Sequence, residues 1–322
     1  MKEKSLLQRI SPRGFYVFPK GLLLALFLFL ALILPVSGQD SIFKATTSPI
    51  NKARLYSTIG VEAAVWAGTF SYLQFLWYKP YNRVPFHLKN DNRAYLQMDK
   101  FGHVWASYIE SYIGYKMLRS SGVKKNPALL LGGTLGLLLQ TQIEVFDGLY
   151  DWWGFSWGDQ VANTVGSFLV IGQELIFNDQ PLKYKLSIWK SPYEYSATGK
   201  KEIGFAERFL FDYNGHTYWL SVPLKPILPS LNVPPWLCLS AGYGANGMFG
   251  KFENITSWEG IPVPPTERYR QYLLSLDIDW TRIQTHSRLL KAIFNTMVFI
   301  KLPFPAIEFN SMGKVRGYWL YY

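Results

Sequence analysis

The pattern of apolar residues changes once along this chain, near residue 180, and that change limits the fold more than any other feature. Before it, long apolar stretches of helix-like composition predict helices over about 54–78, 99–119, 127–150 and 157–177. The third holds Ala128 to Leu139, apolar on every side, and a helix of that kind is buried in protein or in lipid. Gly132, Gly133 and Gly136 would let neighbouring helices approach closely. A polar loop, 79–97, with Pro80, Pro85 and Asn90-Asp91-Asn92, separates the first two helices. After residue 180, short alternating runs broken by Pro and Gly predict strands at 183–189, 209–213, 216–222, 236–243, 269–280, 304–309 and 314–321. Asn214-Gly215 between two of these runs predicts a hairpin turn, because both turn positions then need positive φ. Residues 284–300 predict one amphipathic helix. The fold class is therefore α+β: an N-terminal bundle of about four apolar helices, then an antiparallel β-rich C-terminal half. A bacterial outer-membrane barrel needs about eight strands of roughly nine to eleven residues each. The strands here are fewer and mostly shorter, which favours a twisted antiparallel sheet packed on the helices or on a membrane surface.

The N-terminus reads as an export signal. Residues 1–20 are basic, Gly21 to Val36 are apolar, and Ser37-Gly38 lead into polar Gln39-Asp40. Val36 and Gly38 suit signal peptidase, so cleavage is expected after Gly38. An uncleaved anchor is the alternative, although the run is a little short of the ~20 residues a spanning helix needs. The expected organisation is a signal peptide over 1–38, a membrane-associated helical domain over 39–180 and a β-rich domain over 181–322. The expected location is the periplasmic face of a membrane, or the outer membrane. The single cysteine, Cys238, does not follow the apolar run, so it cannot carry the lipid of a bacterial lipoprotein. It excludes an intrachain disulfide framework and reads as a small buried hydrophobe in Trp236 to Ser240.

Charged residues make up 17% of the chain, against about 25% in ordinary soluble domains. Aromatics also make up 17%, with 12 Trp and 21 Tyr. Trp and Tyr favour the membrane–water interface, so the surplus fits membrane contact; a large aromatic core is the alternative. The net charge of +11 is spread thinly beyond the leader and suits anionic lipid head groups. No nucleic-acid motif is present, so the expected partners are membrane lipid and envelope proteins rather than nucleic acid.

Ionisable residues recur inside the apolar helices. Asp99 and His103 are four apart on one helical face, with Glu110 two turns further on. Glu144, Asp147 and Asp151 follow at spacings of three and four, and Asp159 and Asn163 are four apart. Unpaired carboxylates in an apolar setting are costly, so these groups should face inward and meet one another, His103, Lys100, a metal or a water-filled cavity. Each also has a structural reading. Asp99 could cap its helix, Ser156 with Asp159 resembles a capping box, and Asp147 and Asp151 could be solvated. His103 alone is more often a hydrogen-bonded core residue than a ligand.

Asp99-Lys-Phe-Gly-His103, Glu144-Val-Phe-Asp147 and Ser156-Trp-Gly-Asp159 continuing to Asn163 and Gly166 carry a resemblance. Over roughly residues 55–178 the chain resembles the YfiM-like family of predicted periplasmic lipoproteins, a domain of unknown function. The same signature is similar to that of VanZ-like membrane proteins, which are linked to the cell envelope without a settled mechanism. The matched positions are Asp99, Lys100, His103, Glu144, Asp147, Asp159 and Asn163. The chain departs from the lipoprotein label in lacking a lipidation cysteine.

Two classes of function follow. The first is a non-catalytic, membrane-associated structural or interaction protein. The second is a metal-assisted hydrolase, or a binder of a lipid or glycan, built on the same cluster. The sequence requires no cofactor; a divalent ion is the one it could hold, on His103, Glu144, Asp147 and Asp159. Catalytic zinc sites usually offer more imidazoles. His87, His216 and His286 lack ligand-like spacing, and no G-x-S-x-G, H-E-x-x-H or phosphate-binding glycine loop is present.

Overall fold

The computed structural model describes residues 49–193, 208–210, 212–258 and 261–322, so the leader read at 1–38 lies outside the described residues. Helices occupy the first half and a six-stranded antiparallel sheet the second. The helices are α1 (Lys52–Tyr72, continued as a π-helix over Leu73–Trp77), α2 (Met98–Ser120), α3 (Lys125–Leu131), α4 (Leu135–Asp147), α5 (Trp157–Phe177) and α6 (Arg288–Thr296), with a one-turn helix over Leu224–Ile227.

The apolar stretch expected as one helix over 127–150 is two helices, broken over residues 132–134. Close packing on α2 accounts for the break. A Cβ on Gly132 would lie 2.5 Å from the Gly114 backbone, and one on Gly136 only 2.0 Å from the Ser107 carbonyl. Gly166 of α5 meets α2 in the same way, 2.4 Å from the Val104 carbonyl. Small residues thus press α3, α4 and α5 around α2, the central helix of the layer. Ser107 and Ser111 of α2 and Ser167 of α5 fill the contact with hydrogen bonds of 2.6–3.0 Å.

The sheet is a meander: β1 (Lys183–Ile188), β2 (His216–Pro223), β3 (Leu237–Asn246), β4 (Tyr269–Ile278), β5 (Phe304–Asn310) and β6 (Val315–Tyr321), each paired with its neighbour in sequence. A two-residue ladder, Ser257–Trp258 with Ile261–Pro262, lies apart from it. The expected hairpin at Asn214-Gly215 does not form. Arg208–Leu210 is helical, Tyr213–Gly215 is a 3-10 turn, and β2 pairs with β1 and β3 instead. Neither residue takes positive φ. The Asn214 amide is committed to a buried bracket, donating to the Met248 carbonyl at 3.0 Å and accepting from the Met248 N–H at 2.9 Å.

The sheet is strongly curled. Trp189, just past β1, stacks on Tyr322, just past β6, at 4.0 Å, although those strands lie at opposite ends of the strand order. The concave side carries buried polar groups around a small apolar cluster of Trp219, Leu273 and Ala306: Lys185 pairs with Asp277 at 2.7 Å, Ser221 and Ser240 bond to Asp277, and Gln271 bonds to Glu308. The convex side is apolar. Over β1 to β3 it carries Tyr184, Leu186, Tyr218 and Tyr243, which form one core with Phe101, Tyr108 and Tyr112 of α2. Phe101 stacks on Tyr243 at 4.3 Å.

Two expectations follow. Gly166→Ala should cost about 1–3 kcal/mol of stability, because its Cβ meets backbone rather than a movable side chain. Gly172→Ala, with nothing within 4 Å, should be neutral or mildly stabilising. Denaturant titration of both variants compares them directly. The second concerns His216, whose Nε2 faces the Arg208 carbonyl and whose Nδ1 faces the Tyr218 hydroxyl. Burial pushes its pKa down to about 4, so the folded state holds it neutral. Its contribution is complete above the unfolded value near 6.5 and is lost as pH falls toward 4. Between pH 7 and pH 5 the wild type should lose about 2 kcal/mol more than His216→Gln in equilibrium unfolding.

Candidate functional site

The ionic residues of the first half converge at one end of the helical layer. There the N-termini of α2 and α5 meet the C-terminus of α4. Asp99 lies in the first turn of α2 and Asp159 in the first turn of α5. Each carboxylate therefore sits at the positive end of a helix dipole. Ser156 caps α5 by accepting from the Asp159 N–H at 3.2 Å. The Asp159 carboxylate does not reciprocate as in a capping box; it faces Lys100 instead. Asp99 likewise does not cap α2, and accepts from the Tyr213 hydroxyl at 2.9 Å.

Lys100 is the hub. Its ammonium lies 2.5 Å from Asp91 Oδ1, 2.7 Å from Asp159 Oδ1 and 3.2 Å from Asp99 Oδ2. His103, one turn along α2, directs Nδ1 at Asn163 Oδ1, 3.1 Å away. Its Nε2 stands 3.7 Å from both Glu144 Oε1 and Asp159 Oδ1. Glu144 is almost wholly buried and is aimed by its other oxygen, which accepts from the Ser156 N–H at 3.1 Å. Asp147 faces the other way and accepts from the Tyr78 hydroxyl at 2.5 Å.

The electrostatics follow from crowding. Burial would lower His103, yet Asp159, Asp99 and Glu144 outweigh it and raise the imidazole to about 9. Burial would raise Asp99, but His103 and Lys100 hold it below the usual carboxylate range. Burial dominates at Glu144, pushed up to about 8, and at Asp147, pushed up to about 7. It also raises Asp159. Lys100, despite burial, is held firmly charged by Asp99 and Asp159.

Of the residues singled out by sequence, Asp99, Lys100, His103, Glu144, Asp159 and Asn163 come together. Asp147 sits at the edge of the group. Glu110 lies further along α2, where both carboxylate oxygens accept from Gln140 at 3.0 Å and burial raises it to about 8. Asp151 is exposed and bonds to Asn82. Three members were missed. Asp91, from the polar loop, binds Lys100 and accepts from the Ser156 hydroxyl at 2.7 Å. Tyr213 and Lys251 reach the cluster from the sheet half, Lys251 at 3.5 Å from Asp91. Asn90-Asp91-Asn92 was visible as a polar run, but nothing local marks Tyr213 or Lys251.

Residues 89–171 match the profile of the family described as predicted periplasmic lipoprotein (DUF2279), a domain of unknown function. The matched segment contains every helical member of the cluster, which bears out the resemblance to the family of predicted periplasmic lipoproteins. The periplasmic description agrees with an exported protein on the periplasmic side of the envelope. No curated protein and no solved structure matches the chain.

Lys100→Met should leave Asp91, Asp99 and Asp159 without the cation they share. The expected loss is about 3–5 kcal/mol, in the range for breaking a buried ion pair by removing one partner. Thermal and denaturant unfolding of the variant would measure it.

Proposed function

We propose that the protein is a non-catalytic structural or interaction component of the envelope, lying against lipid at the periplasmic side of the outer membrane. The observation that carries this reading is the inside-out polarity of the curled sheet. Its concave side holds Lys185, Asp277, Gln271 and Glu308, all buried. Its convex side over β3 to β6 exposes Leu239, Tyr272, Leu274, Leu276, Ile307 and Phe309, each 40–49% accessible, and Trp319 at 90%. Apolar outside and polar inside is the alternation of lipid-facing outer-membrane strands. An exposed apolar surface of this extent is unfavourable in water.

The helical layer extends the same kind of surface. α1 buries only Thr58 and exposes Ile59, Trp66 and Phe70, while α5 exposes Val161, Val165, Phe168, Leu175 and Ile176. These faces support lying on the lipid rather than crossing it. Among the described residues one stretch, Lys125–Asp147, has the length and hydropathy of a span, but it is broken between α3 and α4. The ionic cluster supports a structural role, because Lys100 pairs with Asp91, Asp99 and Asp159, and Tyr213 and Lys251 tie that group to the sheet half.

Reconstitution into vesicles containing lipids brominated along their acyl chains tests the placement. Tryptophan emission should be quenched, and Trp319→Phe should remove a measurable share of that quenching. Leu274→Lys with Phe309→Lys should release protein from the vesicle fraction. Protein that remains soluble and unquenched without detergent would sink the reading.

A further inference from the structure

We propose that Asp99, His103, Glu144 and Asp159 form a binding site for one divalent first-row transition ion, of the Mn2+ or Zn2+ class. The argument begins with His103. Its Nδ1 is fixed by the Asn163 side-chain carbonyl at 3.1 Å, so the ring donates there and turns Nε2 toward the carboxylates. Metal-binding imidazoles are oriented in this way, by a carbonyl or carboxylate on the nitrogen that does not bind. Among the described residues nothing completes a hydrogen bond to Nε2 at its other end. Glu144 Oε1 and Asp159 Oδ1 both stand 3.7 Å away, beyond hydrogen-bond reach. That separation suits two ligand atoms on one ion, each about 2.0–2.2 Å from it.

Glu144 supplies an independent sign. Its side chain is 1% exposed, and Oε1 has no hydrogen-bond partner among the described residues. Its companion oxygen is pinned by the Ser156 N–H at 3.1 Å, so the bare oxygen is held facing His103. A buried carboxylate oxygen without a partner is costly, and an ion placed between it and Nε2 removes the cost. Asp99 completes the set: ligand atoms of Asp99, His103 and Asp159 lie within 4.8 Å of one another.

Charge and ligand type narrow the class. Asp91, Asp99, Glu144 and Asp159, all ionised, beside the Lys100 and Lys251 ammoniums leave two negative charges, which one divalent ion cancels. Binding displaces any proton on Nε2 and on the Glu144 carboxyl, and lets Lys100 keep its pairing with Asp91, 2.5 Å away. One imidazole with carboxylate oxygens suits Mn2+ or Zn2+ better than the all-oxygen preference of Ca2+. The ion would join α2, α4 and α5 at the end where they meet the sheet half. This holds whether or not the protein lies on lipid.

Calorimetry on chelator-stripped full-length protein in detergent, titrated with MnCl2 and separately with ZnCl2, tests the site without involving lipid. Wild type should bind one ion per chain and melt at a higher temperature when loaded. His103→Ala and Glu144→Gln should each weaken binding at least tenfold, while Asp151→Asn, an exposed control, should bind as wild type. Glu144→Gln keeps side-chain size and serves if His103→Ala fails to fold, with circular dichroism reporting the fold. Absence of binding to wild type, or undiminished binding by a folded His103→Ala or Glu144→Gln variant, would overturn the proposal.

Discussion

A lysine ammonium held among three carboxylates, away from most solvent, is the constraint around which this structure is arranged. Charges removed from water are tolerated only when geometry returns what hydration gave up. Lys100 meets that condition with Asp91 from the loop, Asp99 from its own helix and Asp159 from α5. Each partner arrives on a different piece of chain, so the pairing fixes their relative positions. Two helix N-termini add dipoles that favour the Asp99 and Asp159 carboxylates. Moving any one element away would leave a charge buried and unmatched.

The same junction carries backbone strain. Tyr95, Leu96 and Gln97 all have positive φ (46°, 52° and 70°), a region that non-glycine residues seldom enter. Such residues cost on the order of 1–3 kcal/mol each and persist where surroundings over-determine them. Here the surroundings belong largely to the sheet half. The Lys251 carbonyl accepts from the Tyr95 N–H, the Tyr243 hydroxyl donates to the Leu96 carbonyl, and Arg270 donates to the Gln97 side chain. The turn they hold sets where α2 begins, and therefore where Asp99, Lys100 and His103 point. The polar helical motif is built by contacts from strands that lie more than 100 residues away in sequence.

That dependence explains what could be read in advance. Spacings of four put Asp99 with His103, and Asp159 with Asn163, on single helix faces, and local periodicity was enough to show it. The strands β3 to β6 were legible for the same reason, through alternation and turn residues. Tyr213 and Lys251 were not, because what makes them members of the cluster is tertiary proximity. Asn214-Gly215 misled because a buried Asn amide that brackets Met248 is indistinguishable in sequence from a turn Asn. Glu110 shares the α2 face with His103, yet two helical turns carry it to Gln140 instead. The break between α3 and α4 came from backbone contact with Gly114, which hydropathy does not register.

The polarity of the sheet follows from the period of a strand. Successive side chains point to opposite faces, so committing one face commits the other. Lys185 and Trp219 on β1 and β2, and Ser240, Leu273, Asp277 and Glu308 further across, all turn to the concave side. Once Lys185 and Asp277 are paired there at 2.7 Å, a shift of register by one residue would carry that ion pair to the convex face and bring leucines into the polar interior. The register is therefore locked by charge as well as by the burial of Tyr184, Leu186 and Tyr218 against α2. The apolar convex face is its direct consequence. Over β1 to β3 that face finds α2. Over β3 to β6 the described residues provide no cover, and hydrocarbon is a medium in which leucine, isoleucine, phenylalanine and tryptophan can face outward without penalty.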